Sequence, residues 1–246
     1  MAKVNKTSTR APKSLDKEKI KIETDMLVQR IGELQKIFYA SAQHGLLVVL
    51  QGLDAAGKDG LISKVFKGIN PLGCTVHAFK GPTEEEMKHD FLWRVHKEIP
   101  AKGMIQIFNR SHYEDVLITR VEKWIDDKTA KKRFVHINNF EDLITDNGTI
   151  VLKFYLHISR EEQASRLTER KTNPQKYWKH NDDDWKTNQK WHAYMEAYED
   201  IFKYCNNPEW TIVPADQNWY KEYIVAKKIC DTLEKLKLQY PKMAKK

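Results

Sequence analysis

Apolar positions recur every three or four residues in the first part of the chain. Leu27, Ile31, Leu34 and Phe38 fall on one stripe, which predicts an amphipathic helix over roughly 18–42. The period then changes. Leu46-Leu47-Val48-Val49-Leu50 is a continuous apolar run between Gly45 and Gly52, the pattern of a short strand buried on both faces. A helix over about 58–68 follows it. The alternation continues, with strands predicted at 76–79, 104–108, 150–156 and 210–213. Helices are predicted at 84–97, 133–146 and 160–170. Thr83 and Glu86 make a capping box for the first of these, and Ser159 an N-cap for the last. A final helix carries Val225, Ile229, Leu233 and Leu236 on one face. Short apolar strands alternating with helices predict an α/β fold, with a mainly parallel sheet covered on both sides. Ligands of such sheets bind beyond the C-terminal ends of the strands.

Composition adds a partner class. The 246 residues carry 42 basic and 34 acidic side chains, a net charge of +8, which suits a polyanion: nucleic acid, a membrane surface or a phosphate chain. Much of the excess is terminal. Lys3, Lys6, Arg10, Lys13 and Lys17 face only Asp16, and 242–246 holds three more lysines. Residues 1–17 and 239–246 are therefore expected to be disordered basic ends around a single domain over 18–238. Cys74, Cys205 and Cys230 are scattered, with neither disulfide nor metal-ligand spacing, as in a reducing compartment. No apolar run approaches the ~18 residues of a membrane span, and no secretory leader is apparent. The expectation is a cytoplasmic protein that does not engage membranes.

The sharpest chemical signal follows the first strand. Gly52-Leu53-Asp54-Ala55-Ala56-Gly57-Lys58 has the spacing G-x-x-x-x-G-K between a buried strand and a helix. Gly52 and Gly57 let the backbone curl so that successive N–H groups converge, and Ala55 and Ala56 leave room for phosphate oxygens. The helix N-terminus adds its dipole, and Lys58 a full positive charge. A hydroxyl residue normally follows the lysine and holds magnesium, but here Asp59 follows, and then Gly60. Asp54 is the candidate Mg²⁺ ligand, because a carboxylate with phosphate oxygens suits octahedral coordination. Asp59 is expected to cap the helix start.

Two further clusters point the same way. The third strand runs into Asn109-Arg110-Ser111-His112-Tyr113-Glu114-Asp115, where Arg110 can grip phosphate with two parallel donors. His112 is expected to be an ordinary surface histidine. Arg166 and Arg170 lie four apart on one helix face. Lys171, Asn173, Pro174, Lys176, Trp178 and Lys179 follow as a basic, aromatic stretch suited to a lid, about 166–190. Lys80, at the end of the second strand, is expected on the same rim.

Together these segments resemble the second family of polyphosphate kinases over roughly 20–238. The matching pieces are Gly52 to Lys58, Phe79-Lys80, Phe108 to Tyr113 and Glu161-Glu162-Gln163 with Arg166 and Arg170. Asn173-Pro174, Lys176 to Lys179, Val213 to Asp216 and Trp219-Tyr220 complete them. The resemblance implies a P-loop kinase-like three-layer sandwich with a helical lid. It implies Mg²⁺-dependent phosphoryl exchange between inorganic polyphosphate and AMP, ADP or ATP, with Mn²⁺ as an alternative metal and guanine nucleotides as alternative acceptors. It implies a homodimer or homotetramer. Asp54, Lys58 and Arg110 become the catalytic residues. Gly52, Ala55, Ala56, Gly57, Asp59, Gly60, Lys80, Arg166 and Arg170 become phosphate contacts, and Asn109, Glu114 and Lys171 nucleotide contacts. Many members carry aspartate where this chain has Asn109, which removes one carboxylate from the metal region. Two other readings use the same loop. One is an ATP-dependent nucleoside monophosphate kinase. The other is a nucleotide-dependent nucleic-acid-binding protein, for which the chain offers no groove-entering helix or base-stacking module.

Overall fold

An apolar run with no polar position to turn toward water can lie only at the centre of a sheet. The computed structural model, which describes residues 4–243, has that arrangement. Strand β1 (Gly45–Gln51) is buried along its whole length. Around it stand β2 (Cys74–Ala78), β3 (Ile105–Asn109), β4 (Thr149–His157) and β5 (Trp210–Pro214), in the order β2-β3-β1-β4-β5, all pairings parallel. The connecting helices are α1 (Lys17–Ser41), α2 (Lys58–Val65), α3 (Trp93–His96), α4 (Ile118–Val121) and α5 (Asp127–Asp146). They continue with α6 (Arg160–Thr172), α7 (Asp183–Gln189), α8 (Trp191–Tyr204) and α9 (Asn218–Lys235).

Alternation along β4 divides its side chains between two layers. Tyr155 meets Tyr198 and Phe202 of α8, with ring centroids 4.3 and 5.2 Å apart. Lys153, on the same face, pairs with Glu141 of α5 at 2.6 Å. The other layer is built by α1 and α9, which run along each other, with α2 against α9. This is the expected α/β sandwich of the P-loop kinase type.

Several local expectations are corrected. The helix over 84–97 is two short pieces. The capping box forms, with Glu86 Oε2 accepting from Thr83 N–H at 2.8 Å and Thr83 Oγ1 from Glu86 N–H at 3.2 Å. The Asp90 carboxylate then accepts from Leu92 N–H at 2.9 Å, so the chain stops and restarts as α3. His112 is wholly buried, not on the surface. It contacts Glu141 at 3.2 Å, in a network where Tyr113 O–H and Lys153 Nζ also donate to that carboxylate.

The N-terminal segment is not the loose end expected from its composition. Val4 is fully buried and its N–H donates to Glu199 at 2.6 Å. Thr9 Oγ1 donates to Asp216 at 2.8 Å, and Ala11 N–H to Gln217 at 2.9 Å. Residues 4–16 thus form a strap pinned by long-range polar contacts that local composition does not reveal. Residues 1–3, with Lys3, and 244–246 lie outside the described residues. Residues 239–243 carry no regular structure. No described helix is long and apolar enough to cross a membrane.

Candidate active site

The loop after β1 turns through left-handed backbone at Ala55 (φ 63°) and Gly57 (φ 90°). At Gly57 glycine is required by its φ, and a Cβ there would also displace the Lys221 ammonium. At Gly52 a Cβ would stand 3.0 Å from the Leu156 carbonyl oxygen. Lys58 opens α2, and its side chain folds back over the loop. Its ammonium donates to Gly52 O at 2.7 Å and Leu53 O at 3.3 Å.

The end of β3 lies beside this loop because Arg110 N–H still pairs with Leu50 O of β1, at 3.0 Å. Arg110 itself has a left-handed backbone (φ 62°), which turns its side chain back to Asp54 at 2.5 Å. Burial pushes the Asp54 carboxyl up, but the charges of Arg110 and Lys58 and the Arg110 hydrogen bond outweigh it, and the group lies below its ordinary value. Burial, then repulsion from Arg110, holds the Lys58 ammonium below its ordinary value. Asp54 also accepts from Thr187 Oγ1 at 3.3 Å, and Gln163 Nε2 donates to its backbone oxygen at 3.0 Å.

These groups bound a cleft of about 350 Å³. Asp54, Ala55, Gly57, Lys58, Asp59 and Gly60 form its floor. Lys80, Asn109 and Arg110 form one wall, and Arg170, Lys179, Asn181 and Asp184 the other. Asp59 does not cap its helix. It accepts from Asn109 Nδ2 at 2.9 Å and from Lys179 at 3.1 Å, joining the two walls. This contact gives the departure at Asn109 a physical reason, since an aspartate there would face Asp59 with a like charge.

Other expected contacts fall elsewhere. All five N–H donors of Arg166 meet protein acceptors: Glu162, Ala55 O, Ala56 O, Ala215 O and Asp216 O, at 2.8–3.2 Å. Arg166 therefore clamps the back of the loop and does not line the cleft, and Arg170 takes the rim position, pairing with Asp184 at 2.5 Å. Lys171 points to Asp182, 3.5 Å away, outside the cleft. Glu114 is half-buried and also off the lining. Burial raises its carboxyl against the pull of Arg110 and Lys58. Gly52 and Ala56 are buried in the loop's base.

Asp184 and Lys221 also reach this region, and neither belongs to a recognisable motif. Asp184 is buried, and burial followed by repulsion from Asp54 raises its carboxyl. Lys221 lies under the loop, donating to Ala56 O at 3.1 Å and Asn218 Oδ1 at 2.8 Å. Its one sequence signal is a lysine inside the otherwise apolar stripe of the last helix. Burial, then the charge of Arg166, brings its ammonium down to about 7. The unfolded lysine titrates near ~10.4. Between those values the unfolded chain binds the extra proton, so this group makes stability rise with pH. Wild-type protein is expected to gain on a Lys221→Met variant from pH 7 to pH 10, by up to about 1.4 kcal/mol per pH unit. Urea unfolding of both proteins at pH 6, 8 and 10 checks this. A constant difference would show that Lys221 stays charged in the fold.

A metal in this cleft would have few protein ligands. Among the described residues no cluster of three or more His, Cys, Asp or Glu side chains could hold a metal ion. Asp54 faces the cleft as one carboxylate beside a phosphate loop, a donor set that fits Mg²⁺ shared with substrate phosphates, which needs only one or two protein carboxylates.

The comparisons with known proteins agree with this geometry. A family model described as Polyphosphate kinase 2 matches residues 14–241. The AMP/ADP-polyphosphate phosphotransferase of Meiothermus ruber is 47% identical over 218 residues, covering 88% of this chain and 82% of that one. The ADP-polyphosphate phosphotransferase of Rhodopseudomonas palustris is 42% identical over 228 residues, covering 87% and 79%. The crystal structure of Polyphosphate Kinase 2 from Arthrobacter aurescens superposes with a TM-score of 0.92 at 38% identity, covering 97% of this chain and 86% of that one. The chain, with its phosphate loop, strand-end arginine and basic rim, belongs to the polyphosphate kinase 2 family.

Proposed function

We propose that this protein transfers a phosphoryl group between inorganic polyphosphate and an adenine nucleotide, AMP to ADP and ADP to ATP, in a readily reversible exchange. One observation carries the reading: Lys58, Lys80, Arg110, Arg170 and Lys179 converge on a single cleft over the loop after β1. Such a ring holds a chain of linked phosphates by charge, without reading any sequence. The names of the relatives from Meiothermus ruber and Rhodopseudomonas palustris support polyphosphate as donor and AMP or ADP as acceptor.

In this reading the loop amides and Lys58 grip the phosphate being transferred. Arg110 and Arg170 neutralise charge that spreads over its equatorial oxygens. Asp54 would hold Mg²⁺, which would supply charge neutralisation to the bound phosphates. Arg110 then exchanges its carboxylate partner for phosphate, and Arg170 does the same on the opposite wall. The acceptor is a nucleotide phosphate, already ionised at neutral pH, so no strong general base is required. Positioning and electrostatics supply most of the acceleration. The segment 166–190 acts as the lid, and water excluded beneath it cannot intercept the phosphoryl group.

The test is a nucleotide panel of AMP, ADP, GMP and GDP with purified protein, polyphosphate and Mg²⁺, followed by product chromatography. Phosphorylation of AMP and ADP is the expected result, with apparent polyphosphate affinity falling as salt rises. Inert adenine nucleotides would refute the proposal.

A further inference from the structure

The strap of residues 4–16 does more than cover the sheet end. Pinned at Val4, Thr9 and Ala11, it spans a gap against the body and leaves a cavity of about 1020 Å³ beneath it. This is as large as a small-molecule site, typically about 300–1,000 Å³. The cavity shares no lining residue with the catalytic cleft.

Its chemistry is one-sided. Arg10, Lys13 and Lys17 line it, and no carboxylate does. Among the described residues none of these three cations has a salt-bridge partner. Trp191 and Trp219 supply apolar planes to the same space. His157, at the end of β4, is 4% exposed and lines the cavity, and its Nδ1 has no hydrogen-bond partner among the described residues. Burial keeps this imidazole below its ordinary value although the backbone of Thr7 and Val4 in the strap faces it, so at neutral pH it is uncharged.

We propose that the cavity under the strap is a second nucleotide site, separate from the catalytic cleft. The phosphates of the ligand meet Arg10, Lys13 and Lys17, and its base lies against the indoles. A bare oligophosphate would satisfy the three cations but would leave both indoles without a partner, which is why a nucleotide is the better occupant. Phosphate groups attract such an unpaired cation cluster, and aromatic planes stack on any base.

The experiment counts bound ligand. Isothermal titrations with ADP alone, and separately with tripolyphosphate alone, are run on the wild-type protein and on the double variant Arg10→Glu/Lys13→Glu. Both replaced residues are exposed and lie outside the catalytic cleft. ADP stoichiometry is expected to fall from two per chain to one, tripolyphosphate stoichiometry to stay the same, and turnover to stay within twofold. Photo-crosslinking of wild-type protein with 8-azido-ADP is expected to label a peptide containing residues 7–17 or Trp219. One ADP per chain in the wild type, two in both proteins, or loss of a tripolyphosphate site in place of an ADP site would each overturn the proposal. The count takes one ADP in the catalytic cleft from the proposed phosphotransferase reading, and the crosslinked peptide locates the second site whether or not turnover is seen.

Discussion

Replacement of Lys58 by alanine is expected to lower turnover by a factor of about 100 to 1,000, the range seen when one preorganised donor is removed from a transition state. The lysine sits where this loss is largest. It is almost buried, and its ammonium is pinned to Gly52 O and Leu53 O. Its charge therefore needs no reorganisation when the transferred phosphate arrives, and the low-dielectric setting strengthens the attraction. The same contacts help shape the loop, so fold and chemistry must be separated. A melting temperature within a few degrees of wild type, together with the drop in turnover, would place the defect in the chemistry. Near wild-type turnover in a folded Lys58→Ala protein would remove Lys58 from the mechanism.

Asp54→Asn is expected to have a comparable effect through a different quantity. Asparagine keeps the shape and can still accept from Arg110 and Thr187, but it removes the negative charge that Asp54 presents to the cleft floor beside Lys58. A hard divalent cation loses its carboxylate ligand, and Arg110 loses its ionic partner. Turnover is expected to fall at least about 100-fold, because metal assistance supplies several kcal/mol and each 1.36 kcal/mol is a factor of ten. The residual activity is expected to require about tenfold or more Mg²⁺. The measurement is initial rate against Mg²⁺ concentration for both proteins. An unchanged activation curve would exclude Asp54 as the metal ligand.

The parts of this account that depend on local pattern could be read from the sequence. The apolar run 46–50 and the residues after it place a strand, a glycine turn and a helix in order, and nothing distant is needed to predict a phosphate loop there. The same holds for α1, whose stripe matches Lys17–Ser41, and for β5. What could not be read depends on contacts between remote parts of the chain. Arg166 looks like a lid cation from its own neighbourhood. Only the fold brings Ala55 O, 111 residues away, against its guanidinium and turns it into a clamp. Lys221 reaches Ala56 O across 165 residues in the same way. His112 looked exposed because its neighbours are polar, yet Glu141 and Lys153 arrive from α5 and β4 to bury it in a paired network.

One omission did have a local signal. Trp191, Tyr194, Met195, Tyr198, Ile201 and Phe202 recur at helical spacing and form the buried face of α8. Interleaved charges and aromatic bulk masked the stripe. The break at Asp90 is the opposite case, since a helical pattern continues through it and one side-chain cap overrides the pattern.

On the proposed function, the loop after β1 takes its phosphate from an inorganic chain. Luminescent detection of ATP from purified protein, ADP, Mg²⁺ and long-chain polyphosphate tests it directly, with no other phosphoryl donor present and with Lys58→Ala as control. ATP is expected to accumulate with wild-type protein and to fall about 100-fold or more with the variant. No ATP from polyphosphate, alongside brisk conversion of AMP to ADP when ATP is the donor, would contradict the account and make the protein an ordinary nucleoside monophosphate kinase.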